Sequence, residues 1–198
     1  MHWINPDSLV PVTCEVKRFL FNSRGEADGL ILTNGAAAHF PPHLSEEVLA
    51  HVGPGDRVTL YGVRPRSAEL IACVAIDTPE GVRIDDRGPP PAKTKKDRDG
   101  PRAKVKTLRL EARGTVERLL HGPKGEIRGV LLEEGEIVRF PRHVADALPD
   151  LLAAGEELAV RGIGVKTHLA TVIEATELGR STHALKRIPS KPKARFHG

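Results

Sequence analysis

The sequence has few of the residues that indicate a disulfide framework, a metal cluster or a membrane span. Its two cysteines, Cys14 and Cys73, lie in the same half, and aromatic residues make up 4% of the chain. Two cysteines at this spacing fit a reducing compartment. No apolar run approaches the roughly 20 residues of a membrane-spanning helix, and the start lacks a basic cluster followed by an apolar run. We therefore expect a cytoplasmic protein with no membrane partner.

The common enzyme signatures are also missing. The sequence contains no Gly-rich phosphate loop ending in Lys-Ser/Thr, no G-x-S-x-G and no H-E-x-x-H. His39 and His43 have the spacing of a metal-binding pair, but position 139 is Arg and no nearby Cys, Asp or Glu cluster completes a site in both halves. We therefore predict a non-enzymatic protein with no catalytic residue, no metal and no cofactor.

Positive charge is concentrated in two segments, although the formal net charge is only +4. Residues 87–109 hold nine of the 30 Lys and Arg residues, and residues 180–198 hold six with no acid. The rest of the chain is acidic. Proline and lysine content predicts a basic linker over residues 81–107 and a basic tail over residues 179–198, both extended.

An internal repeat organises the rest of the sequence. Position n matches position n + 100 without a gap from Val16 to Gly62, with thirteen identities in 47 positions, five of them glycine. The identical residues of the first copy are Val16, Arg18, Leu20, Gly25, Glu26, Gly29, Leu32, Gly35, Phe40, Pro41, His43, Gly55 and Gly62. The sequence is therefore interpreted as a duplication.

Each copy has the pattern of three strands, one helix and two strands. Alternating residues predict a first strand over Val12–Phe21, and Asn34-Gly35 indicates a hairpin between the second and third strands. Apolar residues at helical spacing, with Glu46 and Glu47 in the first turn, predict a short helix over residues 44–49. The remaining strands of the first copy are predicted at residues 29–33, 36–40, 57–63 and 69–77.

This order, with the G-x-x-x-G-x-x-L…G…F-P-x-H…G-[DE] skeleton in each copy, resembles that of bacterial tandem OB-fold (oligonucleotide/oligosaccharide-binding) proteins. The resemblance implies an all-β protein with one short helix per module, built from two tandem five-stranded barrels at residues 10–80 and 108–178. An SH3-like barrel is the alternative, disfavoured because it normally lacks a full helix between its third and fourth strands.

OB barrels usually bind ligands on the outer face of strands two and three, with help from strand one and the loops. Alternation from Val16 predicts an inward-facing set, Val16, Leu30, Leu32, Ala38, Phe40, Val58 and Leu60, and an outward-facing set, Lys17, Phe19, Phe21, Ile31, His39 and Tyr61. Phe19, Phe21 and Tyr61 would then stack bases, with Lys17 and His39 near phosphates. The second copy offers Arg139 and Arg161 there. The alternative is that these outward apolar residues pack against the other barrel or a partner subunit. The basic segments would add phosphate contacts through Lys93, Lys95, Lys96, Arg98, Lys186 and Arg187.

The F-P-x-H element at Phe40 and Phe140 is the longest contiguous pattern shared by the copies. We interpret it as structural, with Phe inside the barrel, Pro ending the strand and His at the helix start. A ligand-contacting role for His43 or His143 is the alternative.

These observations predict a binding protein whose partner is single-stranded nucleic acid, RNA or DNA, recognised with little sequence specificity. Two other functions stay open at this point. The barrels could recognise a protein partner or associate with each other, or a small anionic ligand such as a nucleotide could bind near His43 or His143.

Overall fold

A computed structural model describes residues 5–64, 70–88, 106–122 and 124–188 of the chain. The chain divides near Thr107 into two compact units, and each unit contains one β-sheet closed into a barrel. The two units are described separately.

The described residues of the first unit form six strands and one short α-helix. Helix α1 (Ser45–His51) follows a single 3-10 turn at Pro42–Leu44 and lies between the third and fourth strands. The strands are β1 (Val12–Phe21), β2 (Ala27–Leu32), β3 (Ala37–His39), β4 (Arg57–Val63), β5 (Leu70–Asp77) and β6 (Arg83–Asp85).

The second unit has the same order of elements. Helix α2 (Arg142–Ala147) again lies between the third and fourth strands, and a 3-10 turn at Pro149–Leu151 follows it. The strands are β7 (Leu108–His121), β8 (Ile127–Leu132), β9 (Ile137–Arg139), β10 (Glu157–Lys166), β11 (Thr171–Gly179) and β12 (Lys186–Arg187).

Strand pairing identifies both barrels as OB folds. In the first unit β1 pairs with both β2 and β4, and a parallel pairing of β3 with β5 closes the ring β1-β2-β3-β5-β4. In the second unit the ring is β7-β8-β9-β11-β10, closed by the parallel pairing of β9 with β11. The predicted fold class of two tandem five-stranded OB-type barrels is confirmed, because closure with a helix between the third and fourth strands defines this topology.

Backbone hydrogen bonds outside the strands also recur at an offset of 100 residues. The Val16 amide donates to the Asp56 carbonyl at 2.8 Å, and the Val116 amide donates to the Glu156 carbonyl at 2.9 Å. The Phe40 and Phe140 amides donate to the carbonyls of Asp28 and Arg128 at 3.2 and 3.1 Å. The sequence correspondence is therefore matched by equivalent local geometry in the two barrels.

Two of the repeated glycines stand where a side chain would strike a neighbouring strand. A Cβ at Gly62 would collide with the Ala72 carbonyl, and a Cβ at Gly162 would collide with the Glu174 carbonyl. Both contacts are with backbone, which cannot swing aside as a flexible side chain can. The close approach of the fourth and fifth strands therefore requires glycine at this position in each copy.

Among its described residues, each barrel contains one strand that the sequence did not predict. Strand β6 pairs with β5, and strand β12 pairs with β11. Each five-stranded closed ring therefore has a sixth strand attached to its fifth strand, which is not part of the ring. The amides of Asp86 and Ile188 donate to the carbonyls of Val74 and Thr176, residues that lie in register shifts of β5 and β11. Lys186 and Arg187, expected in an extended tail, therefore belong to a strand.

The barrel interiors are filled by the residues that alternation predicted. Val16, Leu30, Leu60 and Phe40 are all at most 4% exposed in the first barrel. Their counterparts Val116, Val130, Val160 and Phe140 belong to the core of the second. Pro141 stands immediately before α2 and Pro41 before the Pro42–Leu44 turn. The burial of both rings supports the structural interpretation of F-P-x-H.

Candidate nucleic-acid interface

The outer face of the second strand, expected to be open to ligand, is covered in both barrels. Leu30, Ile31 and Leu32 are each at most 1% exposed, although successive strand residues point to opposite faces. Val130, Leu131 and Leu132 are fully buried in the same way. The expectation of an outward-facing Ile31 is therefore wrong. The physical reason lies in the sequence, since an unbroken apolar run is typical of a strand buried on both sides.

The two phenylalanines expected to stack bases are also buried. Phe19 and Phe21 are 8% and 2% exposed, and their ring centroids lie 6.1 Å apart at an interplanar angle of 56°. The burial of successive β1 residues alternates only as far as Arg18, because the register of β1 against β2 shifts between Val16 and Arg18 and again between Leu20 and Phe21. Register shifts of this kind break strict alternation. In this structure neither ring offers a free face to a base.

His39 is likewise buried rather than exposed near phosphates. It is 7% exposed, and its Nδ1 lies 3.0 Å from the carbonyl oxygen of Asp28. Because a carbonyl oxygen only accepts, the Nδ1 of His39 is the donor in this contact. Nε2 has no hydrogen-bond partner among the described residues. The expectation of an exposed phosphate contact at His39 is therefore wrong.

Tyr61 lies at the centre of a charged cluster that occupies one face of its ring. The guanidinium carbon of Arg83 lies 4.5 Å from the ring centroid, and the Tyr61 hydroxyl donates to Asp77 at 2.9 Å. Arg83 also donates to Asp77 and Asp7, in each case at 2.7 Å. One face of Tyr61 is thus taken by a cation–π contact, which leaves only the other for a base.

Arg161, the counterpart of Tyr61, is held between two carboxylates. Its Nε donates to Glu111 at 2.5 Å, and its Nη1 donates to Glu177 at 2.9 Å. The hydrogen bond to Glu111 is the main cause of the raised pKa of Arg161, with smaller contributions from Glu177. A phosphate at this position would have to compete with both carboxylates.

The Arg83 cluster makes the stability of the first barrel depend on pH. The hydrogen bond from Arg83, and a weaker one from Tyr61, lower the pKa of Asp77 against the opposing effect of burial. A carboxyl group whose pKa is lower in the folded state than in the unfolded state stabilises the fold at pH values above its unfolded-state pKa of about 3.9. This stabilisation is lost as the pH falls through the folded-state pKa. We expect Asp77→Asn to lower the free energy of unfolding at neutral pH. The difference in this free energy between the variant and the unsubstituted protein should close below about pH 4.

Urea unfolding followed by circular dichroism between about pH 2 and pH 7 would measure this gap. Asp146→Asn is the matched control, because Asp146 is exposed and makes no ion pair with a described residue. A gap that widens as the solution becomes more acidic would contradict the expected role of Asp77.

The other residues predicted at the site are distributed as follows. Lys17 is exposed on β1 and Arg139 is half-buried on β9, and both interact with neighbouring groups. Lys186 and Arg187 are exposed on β12, where Arg187 stands opposite Glu177. Lys93, Lys95, Lys96 and Arg98 lie outside the described residues. In the first barrel, the described residues that were predicted at the site are therefore not brought together on one open face.

A cavity of about 270 Å³ adjoins His43, where an anionic ligand was considered. His43 Nε2 already lies 3.1 Å from an Asp86 carboxylate oxygen. Glu47 and Asp85 line the cavity, and the nearest Asp85 oxygen lies 3.7 Å from Arg87. Carboxylates therefore balance the cations, and this lining does not favour an anion.

Metal and thiol chemistry find no support in the described part of the chain. No group of three or more His, Cys, Asp or Glu side chains is placed there to hold a metal ion. Burial raises the pKa of the Cys73 thiol to about 12, so Cys73 is unreactive near neutral pH. Among residues 5–64, 70–88, 106–122 and 124–188, no helix is long and apolar enough to cross a membrane.

No family model matches the chain, and no curated protein matches it. Two crystal structures of the single-stranded DNA binding protein from Thermus aquaticus show a weak similarity. The wild-type structure is 16% identical, with 91% of this chain and 94% of that chain covered and a TM-score of 0.27. A deletion mutant is also 16% identical, with 92% and 96% covered and a TM-score of 0.28. The OB assignment rests on the strand pairing within each barrel rather than on this similarity.

Proposed function

We propose that this protein binds single-stranded nucleic acid with little sequence preference, mainly through its two basic segments. The observation that carries the proposal is the separation of charge: half of the 30 Lys and Arg residues lie in residues 87–109 and 180–198, with only Asp97 and Asp99 as acids there. Lys and Arg residues gain affinity for nucleic acid by releasing counterions from its phosphates.

Ion pairs on the barrels support the proposal that phosphates are bound mainly by the basic segments. Arg83 is held by Asp7 and Asp77, and Arg113 is held by Glu157 at 3.2 Å. Arg161 is also paired, with Glu111 and with Glu177. A cation already neutralised by an acid gains little from a phosphate, because it must give up one anion to bind another. The basic segments therefore carry the excess of positive charge, because the rest of the chain has more acidic than basic residues.

The burial of Phe19, Phe21 and the second strands also favours an electrostatic mechanism. Base stacking on aromatic residues contributes about 1–3 kcal/mol per base, and the described residues offer only one face of Tyr61 for it. Without a row of exposed aromatic residues, binding depends on the backbone phosphates. Affinity should then vary little with base sequence.

Competition between oligonucleotides tests this function. A fluorescein-labelled strand of about 15 nucleotides, long enough to contact several cations, is mixed with the full-length protein and its anisotropy is recorded. Unlabelled strands of the same length but different sequence should compete equally well, and DNA and RNA strands can be compared in the same way. Competition by one sequence alone, or by a neutral peptide nucleic acid as strongly as by DNA, would refute the proposal.

A further inference from the structure

Strand β6 is an edge strand of the sheet in the first barrel. It pairs with β5 and, within the described parts of the chain, with no other strand. The Asp86 amide donates to the Val74 carbonyl of β5. Because backbone groups alternate in direction along an antiparallel strand, the N–H and C=O groups of Arg83 and Asp85 point away from β5.

Three of these outward backbone groups have no partner. The Asp85 carbonyl accepts from the Arg87 amide at 3.0 Å. The N–H of Asp85 and both the N–H and the C=O of Arg83 make no hydrogen bond with a described residue. Unpaired groups along an edge strand are where an extended peptide adds to a sheet. We call the outward side of residues 83–85 the β6 edge.

The cavity of about 270 Å³ beside His43 adjoins the β6 edge. Its lining comes from β6 with the residues that follow it, and from the Pro42–Leu44 turn with helix α1. The β6 edge therefore has open space next to it that can accept the side chains of an added strand.

The charged groups around this space favour a cation. Glu47 of α1 is exposed and makes no ion pair with a described residue. Asp85 has only Arg87 as a partner, at 3.7 Å, and the Arg87 side chain is 84% exposed. Arg83 is already held by two carboxylates from other elements. Glu47 and Asp85 are thus the groups left to pair with an incoming charge.

We propose that the β6 edge binds an extended basic segment of a partner protein, which adds to the sheet as a further strand. The backbone of this segment exchanges hydrogen bonds with Arg83 and Asp85. A Lys or Arg side chain directly opposite Asp85 forms the cross-strand ion pair. Binding of this kind is independent of nucleic-acid binding, because the β6 edge lies outside both basic segments.

The second barrel does not offer the same combination among its described residues. Its sixth strand, β12, consists of Lys186 and Arg187, both exposed. Like charges placed directly opposite each other on neighbouring strands are destabilising. A basic segment is therefore expected at β6 and not at β12.

The first test addresses the backbone hydrogen bonds. A fluorescein-labelled peptide Lys-Val-Lys-Val-Lys-Val-Lys is titrated with the full-length protein, and its anisotropy is recorded. With Lys residues opposite Arg83 and Asp85, the Lys amides face β6 and the Val amides face away. N-methylation of the Lys amides should weaken binding about tenfold or more, because it removes donors that pair with the edge. N-methylation of the Val amides is the matched control and should change the affinity much less.

The second test removes the acidic groups. Glu47→Gln with Asp85→Asn should weaken binding of the unmethylated peptide roughly fivefold, because two exposed ion pairs are lost. Asp146→Asn with Asp150→Asn is the matched control, since both residues are exposed and make no ion pair with a described residue. A circular dichroism melt checks that each variant is folded.

Amide exchange followed by NMR locates the bound peptide. Saturating peptide should slow exchange of the Arg83 and Asp85 amides about tenfold or more, because both become hydrogen-bonded. The Ile84 amide already faces β5 and should change little, so it is the internal reference.

Each of three results would overturn the proposal. They are no binding of the unmethylated peptide, equal binding of the two methylated peptides, and equal binding by the Glu47/Asp85 variant and its control. If that variant instead keeps its affinity for the peptide but loses a self-association seen by sedimentation, the β6 edge binds a second copy of this chain and the proposal is also wrong. A failure to bind nucleic acid would leave it standing.

Discussion

Removing the charge of the basic segments is expected to abolish most of the salt dependence of strand binding. We consider replacement of Lys93, Lys95, Lys96, Arg98, Lys191, Lys193 and Arg195 by Gln. If each of these seven cations contacts one phosphate, the log–log slope becomes shallower by up to about 5. The unsubstituted protein binds the strand more tightly than the Gln variant, and the ratio of the two affinities should fall by up to roughly a thousandfold as salt rises from about 50 to 200 mM.

The design of this variant follows from the structure. A deletion from Lys186 onward would remove strand β12 and Ile188, which packs against the core of the second barrel. Glutamine substitutions beyond Ile188 remove charge without removing either. Exchanging Lys for Arg and Arg for Lys at the same seven positions keeps the charge and is the matched control. Equal slopes for the Gln variant and this control would show that the basic segments do not bind phosphates.

Truncating the repeated phenylalanines is expected to cause the largest loss of stability. Phe40 and Phe140 are each 4% exposed inside their barrels. Phe→Ala in a well-packed core typically costs about 3–5 kcal/mol, because apolar burial is lost and a cavity remains. We expect Phe40→Ala to lower amide protection most in β1 through β5, and Phe140→Ala to lower it most in β7 through β11.

Urea unfolding measures the total loss, and hydrogen exchange resolved by peptide locates it. Phe→Leu at each position is the control, since leucine fills more of the space than alanine and should cost less. A loss below about 1 kcal/mol for either alanine variant would mean that the ring does not fill its barrel.

The fold could be predicted from local signals because glycines and alternation constrain a small barrel strongly. Strands β1 and β4 have the predicted bounds, and the third strand, the helix and the fifth strand differ from prediction by a few residues. The sixth strands were missed because they have three and two residues. They pair with β5 and β11 across short connections, and runs of two or three residues carry too little alternation to indicate a strand.

The candidate interface was predicted less well, because exposure depends on what packs over each face. The outward positions were assigned by strict alternation from Val16, which ignored the register shifts of β1. The apolar runs Leu30-Ile31-Leu32 and Val130-Leu131-Leu132 were the available signal that both faces of the second strand are buried. The ion pairs Arg83–Asp7 and Arg161–Glu111 join residues far apart in sequence, so spacing alone could not show them.

The salt dependence of strand binding tests the central proposal most directly. The anisotropy of a labelled 15-nucleotide strand is titrated with the full-length protein at several salt concentrations from about 50 to 300 mM. We predict binding at the lowest salt and a straight log–log plot whose slope corresponds to several phosphate contacts, at about 0.7 per contact. No binding at about 50 mM salt, where attraction is least screened, or an affinity that does not change with salt, would contradict the proposal.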